Sequence, residues 1–166
     1  MGAEAFAATL GGVFENSPWV ASGAWNARPF DNVTALHAAM VAVVQNAAPA
    51  QQLALLRAHP ELAGREARAG EMTDASEAEQ TGAGLDRLTG AEMARIDALN
   101  LAYRTKFGHP FIIAVRNHTK HSIFAAFELR LASDASTERG AALHEVFNIA
   151  RLRLDKLLAV HAERTV

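Results

Sequence analysis

Leu143, Phe147, Ala150, Leu154 and Leu157 recur at a strict 4-3-4-3 spacing, and no feature of the chain narrows its fold more. Apolar side chains at that interval share one stripe of a 3.6-residue helix and neither face of a strand. Glu145, Arg151, Arg153 and Lys156 fall mostly off the stripe. The spacing therefore predicts an amphipathic helix of about six turns, the spine of a bundle. The same period returns upstream. Leu36, Ala39, Met40, Val43 and Val44 follow Asp31 and Thr34, either of which suits an N-cap. Pro49 suits the first turn of a helix that carries Leu53 and Leu56 inward and stops at His59, because Pro60 disfavours the αR conformation before it. Thr89-Gly90-Ala91-Glu92 reads as a capping box opening a helix through Met93, Ile96, Tyr103 and Phe107, which Gly108 ends. Ile123, Phe127 and Leu131 mark another. The fold class expected is all-α, one multi-helix bundle domain over residues 1–166.

Two segments break the rhythm. Residues 64–73, with Arg65, Glu66, Arg68, Gly70 and Glu71, are polar and glycine-bearing and read as a surface loop or a frayed helix. Phe111-Ile112-Ile113-Ala114-Val115 is an apolar run between Pro110 and Arg116-Asn117, and reads as a short extended, buried segment. With no second strand to pair with, its amides and carbonyls need other partners, a bound ligand being one source.

Composition removes several functions. The 166 residues carry 16 Lys and Arg against 18 Asp and Glu, a net charge of -2, so the basic excess that tracks nucleic acid or anionic membranes is missing. No cysteine occurs, which excludes disulfides, thiolate zinc sites and thiol nucleophiles. Glu4 stands where a signal peptide needs a basic residue, and no apolar run reaches membrane-spanning length. The final Arg164-Thr165-Val166 does not match the simplest peroxisomal address. A soluble cytoplasmic protein is expected.

Chemistry concentrates in three places: His59-Pro60-Glu61-Leu62, Ser76-Glu77-Ala78-Glu79-Gln80, and Phe107-Gly108-His109-Pro110-Phe111 running into Arg116. An imidazole, a carboxylate, a carboxamide and a guanidinium on separate segments suit a pocket that holds a small anionic or amide-rich molecule and moves a proton. Each has a structural alternative. His59 also suits a helix C-terminal end, where its charge opposes the dipole. Ser76-x-x-Glu79 is also an ordinary capping box with Ser76 as the cap. Gln80 also suits a solvated helix face, residues 111–115 core packing, and Arg116 a surface ion pair.

Further blocks carry a resemblance: Phe14-Glu15-Asn16-Ser17-Pro18-Trp19, Ala24-Trp25, Arg28-Pro29-Phe30, Arg57-Ala58-His59-Pro60-Glu61-Leu62-Ala63-Gly64, Ser76-x-x-Glu79-Gln80 with Ala83-Gly84-Leu85, Leu99-Asn100-x-x-Tyr103, and Phe107-Gly108-x-Pro110-Phe111-Ile112. Taken in order from about residue 10 to about residue 155, they resemble the OHCU decarboxylase family. Its members act on 2-oxo-4-hydroxy-4-carboxy-5-ureidoimidazoline (OHCU) in the last step from urate to allantoin. The resemblance implies a carboxy-lyase, a homodimer, S-allantoin as product, and no metal, pyridoxal phosphate or thiamine. It implies His59 as the proton donor, with Glu79 orienting it or binding the ureido nitrogens. Pro60, Ser76 and Gln80 would contact substrate, and the backbone of Phe111, Ile112, Ile113, Ala114 and Val115 would line the site. Arg116 would clamp the carboxylate or a ring carbonyl. The chain departs from the family at His109, where Phe-Gly-Phe-Pro-Phe is more usual, so that a second imidazole either alters the pocket's polarity or faces solvent.

Two other classes compete. His118 and His121, three apart with His109 upstream, suit a metal-dependent hydrolase of a related ureide, although 118–122 also reads as the polar entry to the helix of Phe124 and Phe127. The long stripe by itself also suits a non-catalytic dimerisation module.

Overall fold

The computed structural model describes residues 2–163, with side chains described through residue 160. Arg164-Thr165-Val166, read above for a C-terminal address, lie outside the described residues. Among those described there are nine α-helices and no strand: α1 (Ala3–Leu10), α2 (Trp19–Ala24), α3 (Val33–Gln45), α4 (Pro49–Arg57), α5 (Arg65–Ala69), α6 (Asp74–Gly82), α7 (Gly90–Phe107), α8 (Lys120–Leu131) and α9 (Ala135–Glu163). Short 3₁₀ turns cover Trp25–Ala27 and Val115–Asn117. The all-α class stands. No single helix is long and apolar enough to cross a membrane.

Helix ends follow local chemistry, not always at the residue the sequence suggested. α3 is capped by Asn32, whose Oδ1 accepts the Ala35 N–H at 2.9 Å, so neither Asp31 nor Thr34 does so. Asn32 is the residue with extended backbone immediately before the first helical turn, which is where a cap must stand. α4 opens on Pro49 and ends at Arg57 with Ala58 as its C-cap, and it buries Leu55 and Leu56, with Leu53 only half-buried. The Thr89/Glu92 capping box of α7 forms, and Gly108 ends that helix at φ 75°. Within residues 64–73, read above as a surface loop or a frayed helix, residues 65–69 make the short helix α5, stopped by Gly70 at φ 69°. α9 is longer than the stripe suggested, 29 residues or about eight turns. Its buried residues are Glu138, Ala142, Val146, Ile149, Ala150, Arg153 and Leu154, whereas Leu143, Phe147 and Leu157 are half-buried. Successive helical positions differ by only about 100°, so a neighbouring register with smaller inward side chains can take the core.

The chain resolves into two compact units, one from residues up to Ala58 together with α9 from Phe147 onward, the other His59–Val146. In the first, α2 packs on α1 and α3. Phe6 meets Trp25 edge-on at 5.4 Å, and the Arg28 guanidinium lies 3.0 Å over the Trp25 ring. Arg153 and Glu15, both buried, pair at 2.7 Å. The second unit has its own core of Leu62, Leu85, Ile96, Tyr103, Phe111, Ile113, Val115, Ile123, Phe124 and Phe127. Burying ten such side chains supplies a large apolar driving force, at about 1.5–3 kcal/mol each.

Candidate functional site

All the residues singled out for chemistry lie in the second unit. His59 directly follows the C-cap of α4 and is 8 % exposed. The chain then turns sharply through Glu61–Gly64. Ala63 holds φ 47°, and a Cβ on Gly64 would stand 2.5 Å from that of Glu61, so position 64 calls for glycine. The Leu62 carbonyl accepts from Asn100 Nδ2 at 3.0 Å, and Arg104 from the same helix α7 pairs with the Glu61 carboxylate. The resemblance included Asn100 without a role; as a buried amide one turn before Tyr103 it props the histidine's loop.

α6 supplies the second group. Thr73 is its N-cap, accepting the Ser76 N–H at 3.3 Å, so Ser76 is not the cap. The competing threonine stands three residues earlier with extended backbone and offers the same hydroxyl. Ser76 and Gln80, four apart, share the buried face, and Glu79 beside them is half-buried. Gln80 is not solvated. Its Oε1 accepts the Ala63 N–H at 2.9 Å, and its Nε2 donates to the Glu61 carbonyl at 3.4 Å and lies 3.2 Å from Met72 Sδ. One carboxamide thereby ties α6 to the loop that carries His59 and Pro60.

The third group is the run from Phe111. Residues 111–115 are all buried, as expected, but Val115 already begins the 3₁₀ turn, and the run pairs with no strand among the described residues. Partners come from side chains: Arg130 Nη1 donates to the Ile112 carbonyl at 2.5 Å, and Glu145 Oε2 accepts the Ala114 N–H at 2.8 Å. The side chains of Phe111, Ile113 and Val115 join the core, Phe111 stacking on Phe127 at 4.0 Å. The core-packing alternative therefore holds for these three side chains. α6 packs against the Val115–Asn117 turn. Arg116 is exposed on that turn and in no ion pair among the described residues.

His109 does not face solvent. It is 4 % exposed, against Tyr103 and Phe107 at 5.6 and 6.3 Å between ring centres, and its Nδ1 donates to the Pro110 carbonyl at 2.9 Å. Burial in that aromatic setting holds its pKa below the ordinary imidazole value. Behind it Tyr103 donates to Glu138, which is wholly buried, and Arg130 reaches the same carboxylate through Nε at 2.9 Å and Nη2 at 2.5 Å. Burial and the carboxylate together push the Tyr103 hydroxyl far up, so it stays a donor. This network was not legible from spacing. His118 bonds Ser122 at 3.1 Å in the entry turn of α8, and no group of three or more His, Asp or Glu stands placed for a metal ion among the described residues.

Gln80 ties the loop that follows His59 to the α6 segment of Ser76 and Glu79, and α6 packs against the turn that ends the Phe111 run; side chains of these types are the kind that hold a small polar molecule and move a proton. The fold that carries them is all-α. The chain belongs to the OHCU decarboxylase family, whose model matches residues 1–155. It is similar to the 2-oxo-4-hydroxy-4-carboxy-5-ureidoimidazoline decarboxylase of Halalkalicoccus jeotgali, 46% identical over 154 residues, 93% of this chain and 85% of that protein. It is also similar to the uric acid degradation bifunctional protein of a Bacillus species, at 41% identity over 95% of this chain and only 30% of that protein. Among solved structures it is similar to an (S)-allantoin synthase, with TM-score 0.76 and 34% identity over 95% of this chain and 51% of that one.

Proposed function

We propose that this chain decarboxylates OHCU to S-allantoin without a cofactor, His59 delivering the proton that fixes the product's hand. Membership of the family makes it a carboxy-lyase of urate degradation. The observation that carries the assignment of residues is the Gln80 amide, which ties the α6 segment bearing Glu79 to the His59-Pro60 loop.

In this substrate the carboxylate sits on C4, beside the C5=N bond. When the C4–carboxyl bond breaks, its electron pair forms C4=C5, and the C5=N pair moves to nitrogen, which takes a proton. The 4-hydroxyl then gives up its proton as C4=O forms, and C5 is protonated. The substrate is its own electron sink, so the protein's part is pose, polarisation and one face-selective proton. Histidine suits the last because its ordinary pKa of about 6.5 lets it gain and lose a proton near neutrality. Glu79, half-buried one residue before Gln80, orients that imidazole or receives the ureido N–H groups. Ser76 and Pro60 flank the same space, the backbone of Phe111–Val115 lines it, and Arg116 meets the substrate carboxylate before it leaves as CO2.

The same reading takes residues 1–166 as one functional domain, cytoplasmic and homodimeric. The family model runs through both units. Exposed Leu101 and Leu129 offer apolar surface for a second copy. Light scattering that found only monomers would remove the dimer, and a non-catalytic module would show no turnover.

Freshly generated OHCU followed by circular dichroism reads both turnover and handedness. His59→Asn is expected to lose about 10²–10⁴-fold in kcat while keeping its helical spectrum. Near wild-type kcat in that variant would sink the assignment.

A further inference from the structure

The run expected to line the site has no ladder to hold it, yet its backbone must be placed to within a fraction of an ångström if it is to meet a small ring. Two charged side chains do the holding. Arg130 from α8 donates to the Ile112 carbonyl at 2.5 Å, and Glu145 from α9 accepts the Ala114 N–H at 2.8 Å. These two bonds bracket Ile113. Its own peptide N–H and C=O enter no hydrogen bond among the described residues. The arginine is itself held in place. Arg130 is fixed by the buried Glu138 and lies 4.5 Å over the Phe111 ring, at the start of the run. The Ala114 carbonyl, beyond the Glu145 bond, closes the 3₁₀ turn by accepting from Asn117 N–H at 2.9 Å. Both bonds join an ionised side chain to a peptide group, the stronger kind of hydrogen bond.

We propose that Arg130 and Glu145 are positioning residues for the reaction: they set the register of residues 111–115 so that the peptide groups of Ile113 are presented to the substrate. This rests on the reading that the run lines the site. Glu145 is the better test because it is only half-buried, whereas Arg130 also neutralises Glu138. Glutamine at 145 can still accept the Ala114 N–H through Oε1; leucine cannot, and aspartate is one methylene short.

Wild type, Glu145→Gln, Glu145→Leu and Glu145→Asp are compared for melting temperature and for kcat and KM on fresh OHCU, well below the melting transition. Glu145→Leu is expected to lose about 10²-fold in kcat/KM, the scale set by misplacing a binding group by about 1 Å, while Glu145→Gln stays within about threefold of wild type. Glu145→Asp should move in the same direction as leucine, and it keeps the test open if leucine prevents folding. A purely structural role would lower melting temperature in all three and leave kcat/KM of the folded enzyme unchanged, which would overturn the proposal. Glutamine as impaired as leucine would overturn it too. A wild type inert toward OHCU would refute the functional reading along with the positioning role, whereas an active wild type with an indifferent Glu145→Leu would refute the positioning role alone.

Discussion

Arg130→Met should expose how much of the second unit depends on one buried charge. Glu138 is 0 % exposed and accepts from Tyr103 and from two nitrogens of Arg130, whose side chain is 14 % exposed. Methionine keeps much of the arginine's length over Phe111 but strips the carboxylate of its counter-charge. Removing one partner of a buried pair costs about 3–5 kcal/mol, because the other ion is left in a medium that solvates it poorly. For a chain of this size each kcal/mol moves the melting temperature by roughly 2–4 °C, so the drop should be about 6–20 °C. Adding Glu138→Gln removes the orphaned charge and leaves Oε1 to accept from Tyr103. Only an amide N–H₂ then remains to be desolvated, at about 1–3 kcal/mol, so the double variant should be more stable than Arg130→Met alone. Thermal and urea unfolding followed at 222 nm measure both. A loss below about 1 kcal/mol in the single variant, or a double variant no more stable than the single, would refute the claim that a desolvated ion pair holds this core.

Three further outcomes follow from particular contacts. Thr73→Ala should cost about 0.5–2 kcal/mol in urea unfolding, as loss of an N-cap does, and Ser76→Ala should cost less through capping; the reverse order would return the cap to Ser76. His109 is held neutral by burial, so its folded pKa lies below its unfolded one. The stability this gives is whole above about pH 6.5 and is lost as pH falls below that value, because the unfolded state then binds the extra proton. Wild type should therefore lose melting temperature more steeply than His109→Phe between pH 7 and pH 5 (about 1.4 kcal/mol per pH unit at most), and equal slopes would show that the Pro110 carbonyl and the Glu138 carboxylate, which favour the imidazolium, cancel the burial. Protein stripped with a strong chelator should keep full activity on OHCU; activity lost on chelation and restored by one divalent metal would promote the His118 and His121 alternative.

The sequence by itself determined the elements whose causes are local. Helical periodicity, Pro49 at a first turn, the Thr89/Glu92 box and Gly108 as a stop all act within one or two turns, so their signals lie side by side in the chain. Sequence blocks also carried the family, because His59-Pro60, Ser76-x-x-Glu79-Gln80 and the Phe111 run are contiguous. Neighbouring candidates for one local role were separated only by backbone conformation, as Asn32 was from Asp31 and Thr73 from Ser76. The tertiary structure decided what depends on contacts between segments distant in sequence. Gln80 reads as a surface amide until Ala63, seventeen residues away, supplies its donor. Tyr103, Arg130 and Glu138 carry no mutual signal, yet they close one network. Which register of α9 faces inward, and which side chains hold the Phe111 run, follow from packing and desolvation, and these act between surfaces that meet only once the chain is folded.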